Sequence, residues 1–351
     1  MTEIYKNTVR GHGLADPAPS DAFDTDAVSH LLDQCPAHHI TPLVDCEGLA
    51  REIGAARLVL KDERTRMGLG SFKALGAAHV IARDAADVVR ETGADWSKAL
   101  SGRSYVAASA GNHGLSLAAG AAAFGARAVI YLADTVPEGF AARLRAKGTE
   151  VVRAGANYEE SMSAASVAAE AGDLQLLSDG SWPGYTKLPF HVMEGYTQMG
   201  REIAQAYEGK PTHVFLQAGV GGLAAALAES LRAYWGDSPR MIVVEPEAAP
   251  ALIESMRAGV LVTTEGPVSN MGRLDCKTPS MLALGILARD ADDFATITEK
   301  EAEAAVAALA QYGIATTPSG AAGVAAALAG IGDIDGSSEV LCIISEGPED
   351  G

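Results

Sequence analysis

The sequence predicts an α/β protein made of two parallel-sheet blocks with a cleft between them. Three observations carry this. Short apolar, strand-like runs alternate with helical runs from Tyr105 to Leu177, and the alternation starts again near Thr212. The helical runs of the first block each stop at a glycine (Gly125, Gly148, Gly172), the residue that most readily closes a helix in a left-handed conformation. Strands that alternate with helices at this spacing pair in parallel through right-handed crossovers.

Taken in order, residues 1 to about 40 are polar and rich in Pro and Asp, with one helix expected near Asp26 to Cys35, and read as an arm over the main body. The first strand, Ala56–Leu60, leads into a charged turn, two glycines and a helix that carries Lys73. A polar, helical excursion runs from Asp84 to Leu100. The first block then offers strands Tyr105–Ala108, Ala128–Leu132, Glu150–Arg153 and Leu174–Leu177, separated by helices Leu115–Phe124, Phe140–Lys147 and Tyr158–Ala171. The second block offers strands His213–Leu216, Met241–Val244, Phe294–Ile297 and Val340–Ile344. Its helices are Leu223–Trp235, Pro250–Ala258, Ser280–Ala288, Lys300–Tyr312 and Ala321–Ala329. Thr298 and Glu301 form a capping box ahead of the Lys300 helix.

Composition narrows the function. With 351 residues, about two domains are expected, and 48% hydrophobic residues supply a large core. A net charge of −18 without a basic patch argues against nucleic acid and anionic membranes; Arg143 and Lys147 merely share a solvated face. Four cysteines (Cys35, Cys46, Cys276, Cys342) lack C-x-x-C spacing, so neither a metal centre nor a disulfide framework is expected. No apolar run approaches the ~20 residues that span a bilayer, and no leader is read at the N-terminus, so a cytoplasmic protein is expected.

Five segments could carry chemistry. Ser71 stands where a helix N-cap would be and Lys73 in the first turn, where the positive helix end and partial burial are expected to lower the lysine pKa and free its amine for attack on a carbonyl. Ser109-Ala110-Gly111-Asn112-His113-Gly114 lies between a strand and a helix at the sheet's carboxyl edge, where α/β proteins bind ligands. His113 reads as a structural or orienting histidine. Gln217-Ala218-Gly219-Val220-Gly221-Gly222-Leu223-Ala224 opens a helix and suits an anion, phosphate above all. The same glycines also fit a dinucleotide fingerprint, with Glu245 at the end of the next strand as the ribose-binding acid, so an NAD site stays open. Ser345 ends the last strand, where its hydroxyl could meet a ring nitrogen. Asp179-Gly180-Ser181-Trp182-Pro183-Gly184-Tyr185 is a rigid aromatic turn whose aspartate either faces a ligand or caps the turn.

Together, Ser71-Phe72-Lys73, Ser109–Gly114 and the Gly219–Leu223 loop resemble the fold-type II pyridoxal-phosphate enzymes, the group of tryptophan synthase β, threonine dehydratase and serine racemase. Lys61-Asp62-Glu63, Asp179–Tyr185, Gly195-Tyr196-Thr197-Gln198-Met199, Pro211–Gly221 and Val244-Glu245-Pro246 are most similar to the 2,3-diaminopropionate ammonia-lyases within it. The resemblance covers nearly the whole chain from about Leu43. It implies two three-layer domains, a large one from 1–78 plus 190–351 and a smaller mobile one from 79–189, in a homodimer. It also implies that Lys73 carries pyridoxal 5′-phosphate as a Schiff base and removes the α-proton. Asn112 would hydrogen-bond the 3′-oxygen, and Gly219, Val220, Gly221, Gly222 and Leu223 would hold the phosphate. Ser345 would face the pyridine nitrogen and keep it neutral, while Ser109, Ala110 and Gly111 would bracket the substrate α-carboxylate.

Two departures stand out. The ammonia-lyases carry an aspartate where this chain has Ala110, which implies weak activity on D-isomers and a likeness to the dehydratases at this point. The loop Met271–Ser280 is neutral in the family but here carries Arg273, Asp275 and Lys277. Facing the cleft, Asp275 would hold a distal ammonium, or Arg273 and Lys277 a distal carboxylate. The expected activity is β-elimination from a small L-amino acid, 2,3-diaminopropionate first, giving pyruvate and ammonia. A serine, threonine or 3-hydroxyaspartate dehydratase is the alternative enzyme, and a non-catalytic pyridoxal-phosphate or NAD binder the alternative of another class.

Overall fold

A computed structural model describes residues 3–17, 20–172 and 174–348. Eleven strands and twelve α-helices follow one another in the order β1 (Glu3–Lys6), α1 (Thr25–Leu32), β2 (Leu43–Asp45), α2 (Glu47–Glu52), β3 (Arg57–Asp62), α3 (Ala77–Thr92), β4 (Ser104–Ala108), α4 (Asn112–Phe124), β5 (Arg127–Leu132), α5 (Glu138–Ala146), β6 (Glu150–Arg153), α6 (Tyr158–Ala171), β7 (Gln175–Leu176), α7 (Lys187–Ala206), β8 (His213–Gln217), α8 (Gly222–Trp235), β9 (Arg240–Pro246), α9 (Ala251–Ala258), α10 (Met281–Asp290), β10 (Asp293–Ile297), α11 (Glu299–Gln311), α12 (Pro318–Leu328) and β11 (Glu339–Ile344). They build a seven-stranded sheet, β1-β10-β9-β8-β11-β3-β2, and a four-stranded sheet, β6-β5-β4-β7. Pairing is parallel except at the edges of the larger sheet, where β1 and β2 run antiparallel to β10 and β3.

The central strands β8, β9 and β11 carry unbroken apolar runs between polar ends (Val214–Leu216, Met241–Val244, Val340–Ile344), because helices cover both faces of the sheet and leave no polar side to alternate with. The expected strands are all present; β6 has the expected bounds, β7 is shorter, β3 is shifted toward Asp62, and the others are extended by one to three residues. Two edge strands and two helices (α2 and α7) escape the periodicity. β1 (EIYK) mixes charge and apolar residues over four positions, too short for a pattern. α7 is twenty residues long yet buries Glu194, Thr197, Gln198 and Glu202 beside its apolar residues, so its buried face does not read as apolar. Its Gly195 lies so close to the turn before α3 that an added Cβ would sit 1.9 Å from Leu75 O.

The polar residues of α7 meet a buried ionic cluster. Glu202 accepts from Lys61 Nζ (2.6 Å) and from Arg66 Nη2 (2.7 Å), and Arg66 also holds Glu63 (2.7 Å), all with side chains at most 1% exposed. Two cations balance two carboxylates, so desolvation is compensated within the cluster. This fixes the strand–turn segment that delivers Lys73. The excursion after Lys73 is α3 up to Thr92, then a coil with one 3-10 turn at Trp96–Lys98. All four cysteines are free. Among the described residues no helix is long and apolar enough to cross a membrane.

Candidate active site

A cavity of about 660 Å³ opens where the carboxyl ends of the two sheets face each other. Five of its walls are connections that leave a strand at that end: the turn after β3 with Lys73, the 109–111 loop after β4, the Asp179 turn after β7, the 218–221 loop after β8, and Ser345-Glu346 after β11. The segment Gly272–Thr278, with Val268, and the start of α6 at Tyr158 and Glu159 complete the wall. The residues singled out in the sequence thus converge on one site from positions far apart in the chain.

Lys73 sits in a single 3-10 turn, Phe72–Leu75. Ser71 precedes it in extended conformation, but its side chain caps nothing; its backbone instead bridges Glu346. Phe72 N donates to Ser345 O (3.0 Å) and Gly347 N to Gly70 O (2.9 Å), which stitches the lysine turn to the end of β11. The expected fall in the lysine pKa does not occur. Burial alone would lower it, but Asp179 Oδ2 lies 2.5 Å from Lys73 Nζ and holds the ammonium well above the ordinary range. Asp179 in turn is held well below the usual carboxylate range: burial would raise it, and Lys73 outweighs burial. Asp179 therefore faces the cavity rather than capping its turn. The turn itself is rigid: Trp182 and Tyr185 stack at 4.4 Å, while Tyr185 Oη donates to Leu176 O (2.8 Å) and accepts from Ser178 N (3.0 Å).

Ser109 Oγ accepts the amides of Gly111 (3.3 Å) and Gly114 (3.1 Å), folding its loop onto the start of α4. His113 is structural: Nε2 meets Leu177 O at 2.8 Å, so that nitrogen carries the proton, and burial favours the neutral ring. Asn112 Nδ2 donates to Glu346 Oε2 (2.5 Å), and Thr317 Oγ1 donates to Glu346 Oε1 (2.5 Å). Glu346, Tyr158 and Cys276 line the cavity without a sequence signal that marks them; Glu346 is legible only as the neighbour of Ser345. Burial pushes the Cys276 thiol up to about 12, with Asp179 adding to it, so it is protonated at neutral pH.

The loop after β8 is bound tightly on its outer side. Gln217 Nε2 donates to Ile343 O (2.9 Å), and Ser280 N donates to Val220 O (2.9 Å). A Cβ on Gly219 would lie 3.0 Å from Arg273 O and 3.0 Å from Cys276 Sγ, and Gly221 has a φ of +98°. The result is bare backbone at the positive end of the fourteen-residue α8. Glu245 is not part of this site. Its carboxylate caps α9, accepting Leu252 N and Ile253 N at 2.8 Å each, so the acid that an NAD site needs is turned away.

Of the charged loop, Lys277 Nζ is engaged by Ala248 O (2.7 Å), Pro267 O (2.9 Å) and Asp275 Oδ1 (2.6 Å), and Asp275 also accepts Ser269 N (3.1 Å). Arg273 reaches over the cavity, with Nη1 3.4 Å from Ala110 O.

Residues 35–346 match the family model described as pyridoxal-phosphate dependent enzyme. The chain belongs to this family. Its cofactor is pyridoxal 5′-phosphate, which replaces the NAD alternative. The chain is 30% identical over 265 residues to diaminopropionate ammonia-lyase from Escherichia coli (strain K12), covering 72% of this chain and 67% of that one. It is 28% identical over 297 residues to L-threonine ammonia-lyase from Thermotoga maritima, covering 84% and 68%. Its fold matches the crystal structure of the Escherichia coli diaminopropionate ammonia-lyase in complex with an aminoacrylate-PLP azomethine reaction intermediate, with a TM-score of 0.84 and 26% identity over 100% of this chain and 94% of that one. The residues present fit the cofactor of the family: a glycine cradle at a helix N-terminus for a phosphate, a part-buried lysine amine for an aldehyde, and a serine at the end of β11 on the same cavity.

Proposed function

We propose that this protein is a pyridoxal-phosphate-dependent β-eliminating lyase whose substrate is L-2,3-diaminopropionate. The observation that carries the reading is the Lys73–Asp179 pair inside a cavity that also presents the glycine cradle and Ser345. When bound, the cofactor withdraws electrons from the substrate α-carbon, so the α-proton becomes removable. In this reading Lys73 holds the cofactor, and the cradle of Gly219, Val220, Gly221, Gly222 and Leu223 takes its phosphate. Asn112 faces its 3′-oxygen and Ser345 its ring nitrogen. Lys73 Nζ then removes the α-proton and Asp179, relieved of its ion pair, receives the β-ammonium. The Cβ–N bond breaks, and water completes the reaction, 2,3-diaminopropionate plus water giving pyruvate and two molecules of ammonia. His113 and Glu346 hold the loop and the amide of Asn112 in place.

The division into a large domain (1–78 plus 190–351) and a small one (79–189) follows the two sheets, and the resemblance supports a cytoplasmic homodimer with no nucleic-acid or membrane partner. Sedimentation of the purified protein tests the dimer. A second reading, a hydroxyamino acid dehydratase, is favoured by Ala110 in the loop after β4. One experiment separates them. The purified protein is scanned for the bound cofactor's near-visible absorbance, and pyruvate is assayed with L-2,3-diaminopropionate, L-serine and L-threonine in parallel. Cofactor absorbance lost in Lys73→Ala, with pyruvate fastest from the diamino acid, is the expected result. Faster release of oxo acid from the hydroxyamino acids gives the second reading.

A further inference from the structure

Glu346 follows the end of β11 with its side chain only 6% exposed and both carboxylate oxygens accepting hydrogen bonds. Oε1 accepts from Thr317 Oγ1 (2.5 Å), the N-cap residue of α12. Oε2 accepts from Asn112 Nδ2 (2.5 Å), 234 residues away in the chain, and Arg273 Nε lies 3.9 Å from the same oxygen. The backbone of Glu346 is pinned as well: Thr316 Oγ1 donates to its carbonyl (2.6 Å), and the residue forms a bridge with Ser71. Gly320 leaves room for this, since a Cβ there would stand 3.1 Å from Glu346 O and 3.3 Å from its Cγ. A carboxylate fixed at so many points is a firm stop against which another side chain can be set.

The side chain it sets is Asn112. The two ends of a side-chain amide are nearly the same size, so hydrogen-bond partners rather than packing decide where nitrogen and oxygen point. Against an accepting carboxylate oxygen, only the nitrogen can face Glu346. One amide hydrogen is used there. Among the described residues the other meets no protein acceptor, and Asn112 lines the cavity that Lys73 and Ser345 also line. A phenolic oxygen that carries negative charge is attracted by an N–H and repelled by an amide carbonyl. We propose that Glu346 is a positioning residue of the cofactor site, turning the Asn112 amide so that its nitrogen, and not its oxygen, meets the 3′-oxygen of pyridoxal phosphate. This role rests on Asn112 facing that oxygen, as in the lyase reading. It also ties the two sheets together at the cofactor, because Asn112 opens the helix after β4 of the four-stranded sheet and Glu346 follows β11 of the seven-stranded one.

Full-length apoprotein, prepared by stripping the purified holoenzyme, is titrated by tryptophan fluorescence with pyridoxal phosphate and with its 3-deoxy analogue, which tests this without turnover. The wild type prefers the natural cofactor about tenfold more strongly than Asn112→Ala does, the order of one charge-assisted contact. Glu346→Gln can offer Asn112 an N–H in place of the carboxylate oxygen, so the amide is no longer held one way round. This variant loses most of the preference and holds the analogue within about twofold of the wild type. Glu346→Asp keeps the charge but lacks the reach to Thr317 and Asn112 together; it shows the same selective loss and serves if the Gln variant fails to fold. In Asn112→Ala, adding Glu346→Gln changes the preference no further, because the two residues act through one contact. Equal weakening of both cofactors marks a merely structural role and overturns the assignment, as do unchanged affinities or additive losses in the double variant. A wild type no more selective than Asn112→Ala also overturns it, because Asn112 then does not meet the 3′-oxygen. Pyruvate release from L-2,3-diaminopropionate by the wild-type holoenzyme reports on the lyase reading independently of these affinities.

Discussion

Lys73 Nζ and Asp179 Oδ2 lie 2.5 Å apart, 106 residues distant in the chain, each side chain 21% exposed. Their charges hold each other in place, so the resting lysine is an ammonium and not the free amine that a carbonyl requires. Loading of cofactor into apoprotein should therefore speed up as pH rises through the neutral range in the wild type. In Asp179→Asn the largest group opposing burial is gone and the Lys73 pKa falls. Stopped-flow mixing of apoprotein with pyridoxal phosphate should show faster capture at pH 7 and a flatter pH profile for the variant, with turnover of the diamino acid reduced by about 10²-fold or more.

The same pair predicts an acid limit. Asp179 is held below its ordinary pKa, so its contribution to stability is present above the unfolded value and is lost as pH falls through the folded one. Urea midpoints of apo wild type and Asp179→Asn should differ at pH 7 and begin to converge only below about pH 4.

Glu245 gives the opposite sign. Burial pushes its carboxyl up to about 8, against the two amides that lower it. The fold thus binds a proton that the unfolded chain releases, and stability should decline from about pH 5 to pH 8 on account of this group. Glu245→Gln removes that slope. Denaturation of the two proteins at pH 5.5 and 8.5 measures it, and the cofactor's affinity should be the same in both.

Gly219→Ala pushes a methyl against Arg273 O and Cys276 Sγ at 3.0 Å, and one of the two walls must yield. Fluorescence titration of apoprotein should show cofactor affinity down by about tenfold or more, the order of one lost charge-assisted contact.

Glu202→Gln leaves Lys61 and Arg66 sharing Glu63 alone in a cluster closed to solvent. Breaking one member of a buried ion cluster costs about 3–5 kcal/mol, which equilibrium unfolding of the holoenzyme should register. Activity per folded molecule should change much less, since the cluster lies behind the Lys73 turn.

Much of this was legible before folding. The strands Tyr105–Ala108 and His213–Leu216, the left-handed glycines closing α4 and α5 (Gly125, Gly148) and the Thr298 capping box are all local signals, each decided within a few residues, and each is present, whereas Gly172 after α6 is extended. Lys73, Asn112, the Gly219 loop and Ser345 were also marked by local context, and all line one cavity. The long helix Lys187–Ala206 was not marked, because its buried face carries Glu194 and Glu202 for partners supplied by α3 and β3. A hydrophobic period cannot report a face whose solvent is another side chain.

The sequence by itself determined the parallel sheets and the site-bearing loops, since these depend on spacing and on glycine at strand ends; its glycines left phosphate and dinucleotide both open, and the family resemblance named the cofactor. Only the tertiary structure decided the charges. It placed Asp179 on Lys73 and reversed the lysine's expected pKa, turned Glu245 onto α9, and set Lys277 on Asp275 while Arg273 crossed to Gly111. The reason is physical: a backbone turn is fixed by neighbours in sequence, whereas Coulomb energy and desolvation depend on distances that only the packed chain defines.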